Sequence, residues 1–447
     1  MSKLVHAQWS SKMTFVLAAA GSAVGLGNIW RFSYMVGDSG GAAFVLIYLA
    51  CVALVGLPIL VAEWLIGRRG QENPINAMAD LARKNGRLPA WALVGVSGVL
   101  AAFLILSFYS VIGGWSLSYT LSSVTGRFTG QDADAVGDIF GGLLASPVAL
   151  TLWHTAFMAL VIWIVARGVT KGLEGAVRTL MPALVILMIV LVGYGMTTGH
   201  FGEALAFMFR PDWSAVTGGV VLAAMGQAFF TLSLGMGIMM AYGSYLGEDV
   251  NLIGTARTVI ILDTAIALLA GLAIFPIVFA HGMSPGEGPG LIFVSLPVAF
   301  GNMTGGLLLG LMFFLLLTFA ALTSAISLLE PVVELVEERT PLSRLVATLT
   351  SGAAVWALGI AALMSFNVWG EFLILGMNIF DLLDTFTSKI LLPLTGLGAI
   401  VFVAWCLDRQ SVAGELGIAG GAERLWHTVA RYVAPIGVIL VFVTGLL

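Results

Sequence analysis

The fold predicted from this sequence is all-α and polytopic in a membrane, crossing it about eleven times, with helices 1 and 6 unwound at mid-bilayer. Three observations predict it. Hydrophobic residues make up 59% of the chain and charged residues 10%, whereas soluble proteins carry about a quarter charged residues. Apolar runs of roughly 20 residues, enough for a hydrocarbon layer about 30 Å thick, recur from end to end. Two of these runs are interrupted at their centres by glycine and hydroxyl residues, where lipid penalises unpaired backbone.

The runs fall near residues 13–36, 42–66, 91–123, 148–166, 177–198, 217–246, 256–281, 305–333, 345–365, 381–407 and 431–447. Met1 to Lys12 is short and mixed in character and lacks the pattern of a cleavable leader, so the first run is expected to be a helix of the fold. Basic residues then set the orientation. With a cytoplasmic N-terminus, Lys3, Lys12, Arg68, Arg69, Arg83, Lys84, Arg87, Arg167, Lys171, Arg178, Arg257, Arg339, Arg344, Arg409, Arg424 and Arg431 all fall on cytoplasmic segments. Only Arg127 and Arg210 fall outside, which is the positive-inside arrangement. Arg31 and Lys389 are left within the membrane, and an odd number of spans puts the C-terminus on the extracytoplasmic side. The net charge of −4 is spread over loops with no basic stripe, so nucleic acid is not an expected partner. Cys51 and Cys406 lie inside spans and are expected to pack rather than pair. His6, His154, His200, His281 and His427 have no metal-ligand spacing.

The first interruption is Gly21-Ser22-Ala23-Val24-Gly25-Leu26-Gly27-Asn28-Ile29-Trp30, followed at once by Arg31. The second is Gln227-Ala228-Phe229-Phe230-Thr231-Leu232-Ser233-Leu234-Gly235-Met236-Gly237 in the sixth span. Spans five apart enter the bilayer from opposite sides. This predicts an inverted five-plus-five repeat within a single domain, with halves at 12–200 and 214–407 and an extra helix at 430–447. Either Gly-x-Gly motif alone would serve close helix packing equally well. The matched pair favours a site at the midplane, where broken helices expose carbonyls and amides to substrate and coupling ions.

Those two segments, together with Trp9, Arg31-Phe32, Ala320-Ala321-Leu322-Thr323-Ser324 and Glu330-Pro331, resemble the neurotransmitter:sodium symporter family over nearly the whole chain and in the same order. The likeness is strongest to its bacterial amino-acid transporters, including the multi-hydrophobic amino-acid branch, which has a Met in the sixth-span break and eleven spans rather than twelve. The resemblance implies a LeuT-like fold and sodium-coupled import of a small neutral amino acid across a bacterial cytoplasmic membrane by alternating access. The protein would work in the lipid bilayer as a monomer or weak homodimer.

Two sodium ions are implied. The first would be held by the Ala23 carbonyl, the Asn28 side chain, Thr231 and Asp263, completed by the substrate carboxylate; the second by the carbonyls of Gly21, Val24 and Ala320 and the hydroxyls of Thr323 and Ser324. Sodium is a hard cation that several oxygens suit. Asp263 departs from relatives that carry Asn there, and Ala267 stands where chloride-dependent members have a serine. Asp263 is therefore expected to supply the missing negative charge, so that chloride is not required; a second role open to it is proton exchange on the return step.

The same resemblance places the substrate. Amides of Ala23, Gly25, Leu26 and Gly27, with Tyr109, would hold its carboxylate, and carbonyls near Phe230, Thr231 and Ser233 its ammonium. Ile105, Tyr109, Phe230, Met236 and Leu328 would line the side-chain pocket, with Ser233, Ser324 and Ala325 beside them. None of these side chains is charged, which points to branched-chain or aromatic substrates. The outer gate is expected to be Arg31 facing Asp384 above a lid of Tyr109 and Phe230, and the inner gate Trp9, His6, Tyr245 and Glu338, with Lys3 as the other cation at hand. Glu63 is expected to anchor unwound backbone, and Gly172 with Pro182 to permit local unwinding of the fifth span.

Other classes are weighed against this. Asp381 and Asp384 lie three residues apart on one helix, which does not suit the facing dyad of an aspartyl protease, and no enzyme activity is expected. An amino-acid-sensing receptor would keep the pocket without stoichiometric coupling. A proton-coupled or sodium-independent permease of the same fold would usually place a cation at the Thr323 and Ser324 site, and none is visible there.

Overall fold

The computed structural model describes residues 8–286 and 290–446, and these are helical nearly throughout. Nine helices are long and apolar enough to cross a bilayer among the described residues. They are Ala42–Gly70 (span 2), Pro89–Val124 (span 3), Pro147–Val165 (span 4), Val169–Gly195 (span 5), Leu252–Ala280 (span 7), Gly306–Arg339 (span 8), Arg344–Met364 (span 9), Ile379–Cys406 (span 10) and Gly420–Thr444 (span 11). Span 1 is the bent pair Lys12–Ala23 and Gly27–Asp38, whose halves meet at 52°. Span 6 is two short helices, Gly218–Thr231 and Ile238–Ser244, on either side of a six-residue break. The total therefore agrees with the eleven expected.

Two boundaries differ from the hydropathy reading for one reason: charge inside a helix dilutes its apolar signal. Span 5 begins at Val169 rather than near 177, because Lys171, Glu174 and Arg178 occupy its first turns. Glu174 is nevertheless buried, accepting from the Ser10 amide at 2.7 Å and the Ser10 hydroxyl at 2.6 Å. Span 11 begins at Gly420, with Glu423, Arg424 and His427 on turns that precede its apolar stretch. Around Gly172 the chain is helical, and a Cβ there would lie 2.1 Å from the Ile164 carbonyl oxygen.

Short helices join the spans at both faces, among them Pro74–Lys84, Ala133–Ala145 and Arg409–Leu416. The first two begin at side-chain caps that accept orphan amides, Asn73 from Ile75 and Asn76, and Asp132 from Ala135. The face from which span 1 enters is called here the N-terminal face; the starts of spans 3, 5, 7, 9 and 11 and the ends of spans 2, 4, 6, 8 and 10 lie on it.

Span 8, 34 residues long, runs along spans 3 and 5 and forms the scaffold on which span 1 rests. Span 2 meets the second half of span 6 backbone to backbone. A Cβ at Gly67 would lie 1.9 Å from the Met240 carbonyl oxygen, and one at Gly243 would lie 2.7 Å from that of Trp64. Small residues allow this approach because association inside lipid depends on packing. Gly67→Ala is accordingly expected to destabilise the protein by about 1–3 kcal/mol, read as a lower thermal midpoint in detergent. Gly137→Ala, which meets nothing within 4 Å, is the control; equal midpoints for the two variants would contradict the packing account.

Candidate functional site

The site is assembled from two deliberate losses of helical hydrogen bonding. The first half of span 1 ends at Ala23; Val24 is extended, with φ −74° and ψ 95°, while its amide still reaches back to Ala20 at 2.6 Å. The carbonyls of the final turn lose the donors that a continuing helix would provide. In span 6 the chain passes through the left-handed region three times, at Ser233 (φ 52°), Gly235 (φ 76°) and Gly237 (φ 68°). Glycine is required at 235, because a Cβ there would lie 2.3 Å from the Leu392 carbonyl oxygen.

Side chains from neighbouring spans answer the freed backbone groups. The hydroxyls of Ser233 and Ser324 both donate to the Ser22 carbonyl, at 2.9 and 3.0 Å, and so join spans 1, 6 and 8 at one oxygen. Gln227 donates to the Gly27 carbonyl at 2.8 Å, and the Tyr109 hydroxyl accepts from the Leu26 amide at 3.3 Å. The buried Glu63 carboxylate accepts from the Gly235 amide at 2.8 Å, the anchoring expected of it.

A carboxylate lies beside this junction. Asp263 of span 7 is fully buried; Asn28 donates to it at 2.7 Å, Thr231 to both its oxygens at 3.2 Å, and Tyr48 at 3.5 Å. The Asn28 oxygen in turn accepts from the Gly25 amide at 3.2 Å. No Lys, Arg or His pairs with Asp263 within 4.0 Å among the described residues. A buried carboxylate amid hydroxyl, amide and carbonyl oxygens suits a hard monovalent cation. At the second expected ion position, Thr323 donates to the carbonyls of Phe319 and Ala320 at 3.1 and 3.0 Å. Ser324 ties that stretch to the backbone between Gly21 and Val24 through Ser22.

Between the breaks lies a cavity lined by Ala23, Gly25, Gly27, Ile105, Tyr109, Phe230, Ser233, Met236, Ser324 and Leu328, all expected, together with Ser22 and Ile238, which were not. Leu26 contributes through its amide, Thr231 turns to Asp263, and Ala325 is buried without lining the cavity. Ser22 has a sequence signal, a hydroxyl residue inside the glycine-rich break; Ile238, an apolar residue in an apolar helix, has none.

The gates depart more from expectation. Arg31 lies over the Phe230 ring at 4.7 Å. Asp384 is within reach of its charge but exposed, and the two make no ion pair within 4.0 Å; Asp381 is engaged by Asn378 at 2.7 Å. Arg31 therefore sits over Phe230 in a cation–π contact, with Asp384 nearby but beyond ion-pair distance. On the N-terminal face, Trp9 donates through its indole to the Tyr242 carbonyl at 3.0 Å and through its amide to that of Tyr245 at 3.2 Å. His6 and Lys3 lie outside the described residues. Glu338 is not opposite this segment: its carboxylate accepts from the Asn73 amide at 3.0 Å and from the Asn73 side chain, bracing the Pro74–Lys84 helix. The acid that faces Tyr245 is Glu330, at 2.9 Å, and it pairs with Arg344 at 2.5 Å.

Paired helix breaks around a cavity, with an oxygen-lined carboxylate beside it, define a secondary transporter of LeuT-like fold. The chain belongs to the sodium:neurotransmitter symporter family, whose family model matches residues 6–135 and 144–447. It is 38% identical to the uncharacterized sodium-dependent transporter YhdH of Bacillus subtilis, over 99% of this chain and 98% of that protein. It is 35% identical to an uncharacterized sodium-dependent transporter of Haemophilus influenzae, over 98% of each. Among solved structures, MhsT in complex with L-phenylalanine is similar at 46% identity and a TM-score of 0.90, covering 98% of this chain and 99% of that one.

Gly25 is the tightest point of the cavity wall. A Cβ there would lie 2.3 Å from the Ser324 hydroxyl and 2.9 Å from that of Tyr109. Gly25→Ala is expected to reduce binding of a small ligand in the cavity at least tenfold, as displacing the Ser324 hydroxyl by about an ångström and the Tyr109 hydroxyl by about half as much disturbs two hydrogen bonds worth about 1 kcal/mol each. Calorimetry on the purified variant, compared with Gly226→Ala, which meets no neighbour within 4 Å, measures the difference.

Proposed function

We propose that the protein is a sodium-coupled symporter that imports neutral hydrophobic amino acids, branched-chain or aromatic, by alternating access. The observation that carries this reading is the cavity itself. One wall is unwound backbone with hydroxyls, the other is Ile105, Met236 and Leu328, and no lining side chain is charged. The backbone wall suits an α-carboxylate and ammonium, and the apolar wall suits an uncharged side chain. Met236 adapts its shape to more than one such side chain. A solved relative described in complex with L-phenylalanine supports the same substrate class.

In this reading Ala23, Asn28, Thr231 and Asp263 hold one sodium ion next to the substrate carboxylate, and Gly21, Val24, Ala320, Thr323 and Ser324 hold a second. Each sodium entering down an inside-negative potential of 100 mV contributes about 2.3 kcal/mol. Two ions therefore suffice to concentrate a neutral substrate strongly before their own gradient is counted. The N-terminal face is cytoplasmic, since it carries most of the basic residues, and the C-terminus is extracytoplasmic in a bacterial cytoplasmic membrane. The halves 12–200 and 214–407 act as inverted repeats whose broken helices rock against the rest.

Uptake of radiolabelled leucine, phenylalanine and tryptophan into proteoliposomes, with sodium outside and potassium inside, tests this. Accumulation that requires sodium and is indifferent to chloride is expected; equilibration without sodium, or binding without uptake, would instead indicate a facilitator or a sensor. Asp263→Asn is expected to raise the sodium concentration for half-maximal uptake tenfold or more, the loss of a charged contact being worth about 1.5–3 kcal/mol. If the Asp263 charge stands in for chloride, added chloride partly restores uptake by that variant and leaves the parent unchanged.

A further inference from the structure

The N-terminal face carries a second cluster, remote from the cavity, that the transport cycle does not use. Trp405, in the last turn of span 10, is flanked by two arginines from other elements. The Arg431 guanidinium of span 11 stacks on its ring at 4.1 Å, and Arg87, from the segment before span 3, donates to its carbonyl at 3.5 Å. The Trp405 indole N–H donates to the Arg431 carbonyl at 3.3 Å, which fixes the two at one level.

The charge here is not balanced. Arg409 is neutralised by Glu423 at 2.7 Å, but neither Arg87 nor Arg431 pairs with an acid within 4.0 Å among the described residues. Among the described residues, the polar side chain that meets the Arg431 guanidinium is His427, at 3.4 Å. The Arg431 Nε and the indole N–H of Trp426 are both buried without a hydrogen-bond partner. Trp426 and His427 line a cleft between the end of span 10 and the start of span 11. Unpaired arginines near the ends of membrane helices attract anionic headgroups.

What surrounds the cluster identifies the source of that anion. Trp405 is 47% exposed and Tyr432 50%, and the stripe continues along span 11 through Ile436, Leu440 and Val443, each about half exposed. Exposed aromatics at a helix end mark the headgroup level, and the exposed apolar residues beyond them face the hydrocarbon layer, where acyl chains lie. We propose that Arg87 and Arg431, with Trp405 as platform, bind the phosphodiester of an anionic phospholipid at the end of spans 10 and 11, its acyl chain lying along Ile436 and Leu440.

The test uses the full chain, delipidated in detergent and titrated with dioleoylphosphatidylglycerol or dioleoylphosphatidylcholine. Native mass spectrometry counts retained lipid, and thermal unfolding follows stability. The parent is expected to retain phosphatidylglycerol preferentially and to gain thermal stability from it. Arg87→Gln with Arg431→Gln should lower that preference roughly thirtyfold, from two lost charges at the surface. Arg210→Gln, in the loop before span 6, should leave it intact. Equal retention of the two lipids by the parent, a comparison that needs no variant to fold, would overturn the proposal. So would an unchanged preference in the double variant, or an equal stabilisation by soluble glycerophosphoglycerol, which would identify a free-anion site instead.

Discussion

Everything in this molecule is arranged around a single constraint: backbone groups released inside an apolar bundle must be met by something other than water. Spans 1 and 6 release them at the same depth, and the neighbouring spans are built to reply. The Ser22 carbonyl takes two hydroxyls from different helices, the Gly27 carbonyl takes Gln227, and the Gly235 amide takes Glu63. These contacts hold open a polar surface that would otherwise close into helix. They also explain why serines and a glutamate sit at full burial in a chain that is mostly aliphatic.

The junction couples distant parts of the chain through few atoms. Span 7 enters through Asp263, span 3 through Tyr109 and span 8 through Ser324, each touching span 1 within the stretch from Ser22 to Asn28. Displacing that stretch disturbs all three at once. The second half of span 6 is bound in the same way to span 2, where Gly67 and Gly243 bring backbones into contact. Spans 2 and 6 are therefore joined as one packed unit, whereas span 8 with spans 3 and 5 forms the broader surface beside them.

Much of this was legible beforehand, and the limits of legibility have physical causes. The breaks were readable because glycines and hydroxyls stand out against leucine and valine, and the pocket followed once the family pattern was seen. Ser233 in the left-handed region was not readable, since a serine gives no sign of positive φ; its hydroxyl bond to Ser22 shows what accompanies the strain. Glu338 was misplaced because Glu330, Glu334, Glu337 and Glu338 share one helical run, and spacing alone does not say which of them faces Tyr245. Glu174 was overlooked because charge at the start of span 5 looks like loop until Ser10 is found against it. The Arg31 contact turned on tertiary distance, which places a ring nearer than the expected carboxylate.

The cavity wall contributed by span 1 includes glycines at 25 and 27, against which Ser324 and Phe230 press so closely that no further atom fits. A lineage cannot tune the wall at those two positions by exchanging side chains, because there are none to exchange. Ile105, Met236 and Leu328, by contrast, can each be replaced by another apolar residue of similar volume at modest cost. Divergence is thereby channelled: in the function proposed above, descendants of this sequence are free to drift in the part of a molecule that would distinguish one cargo from another, and are held fast in the part that would recognise what all of those cargoes share.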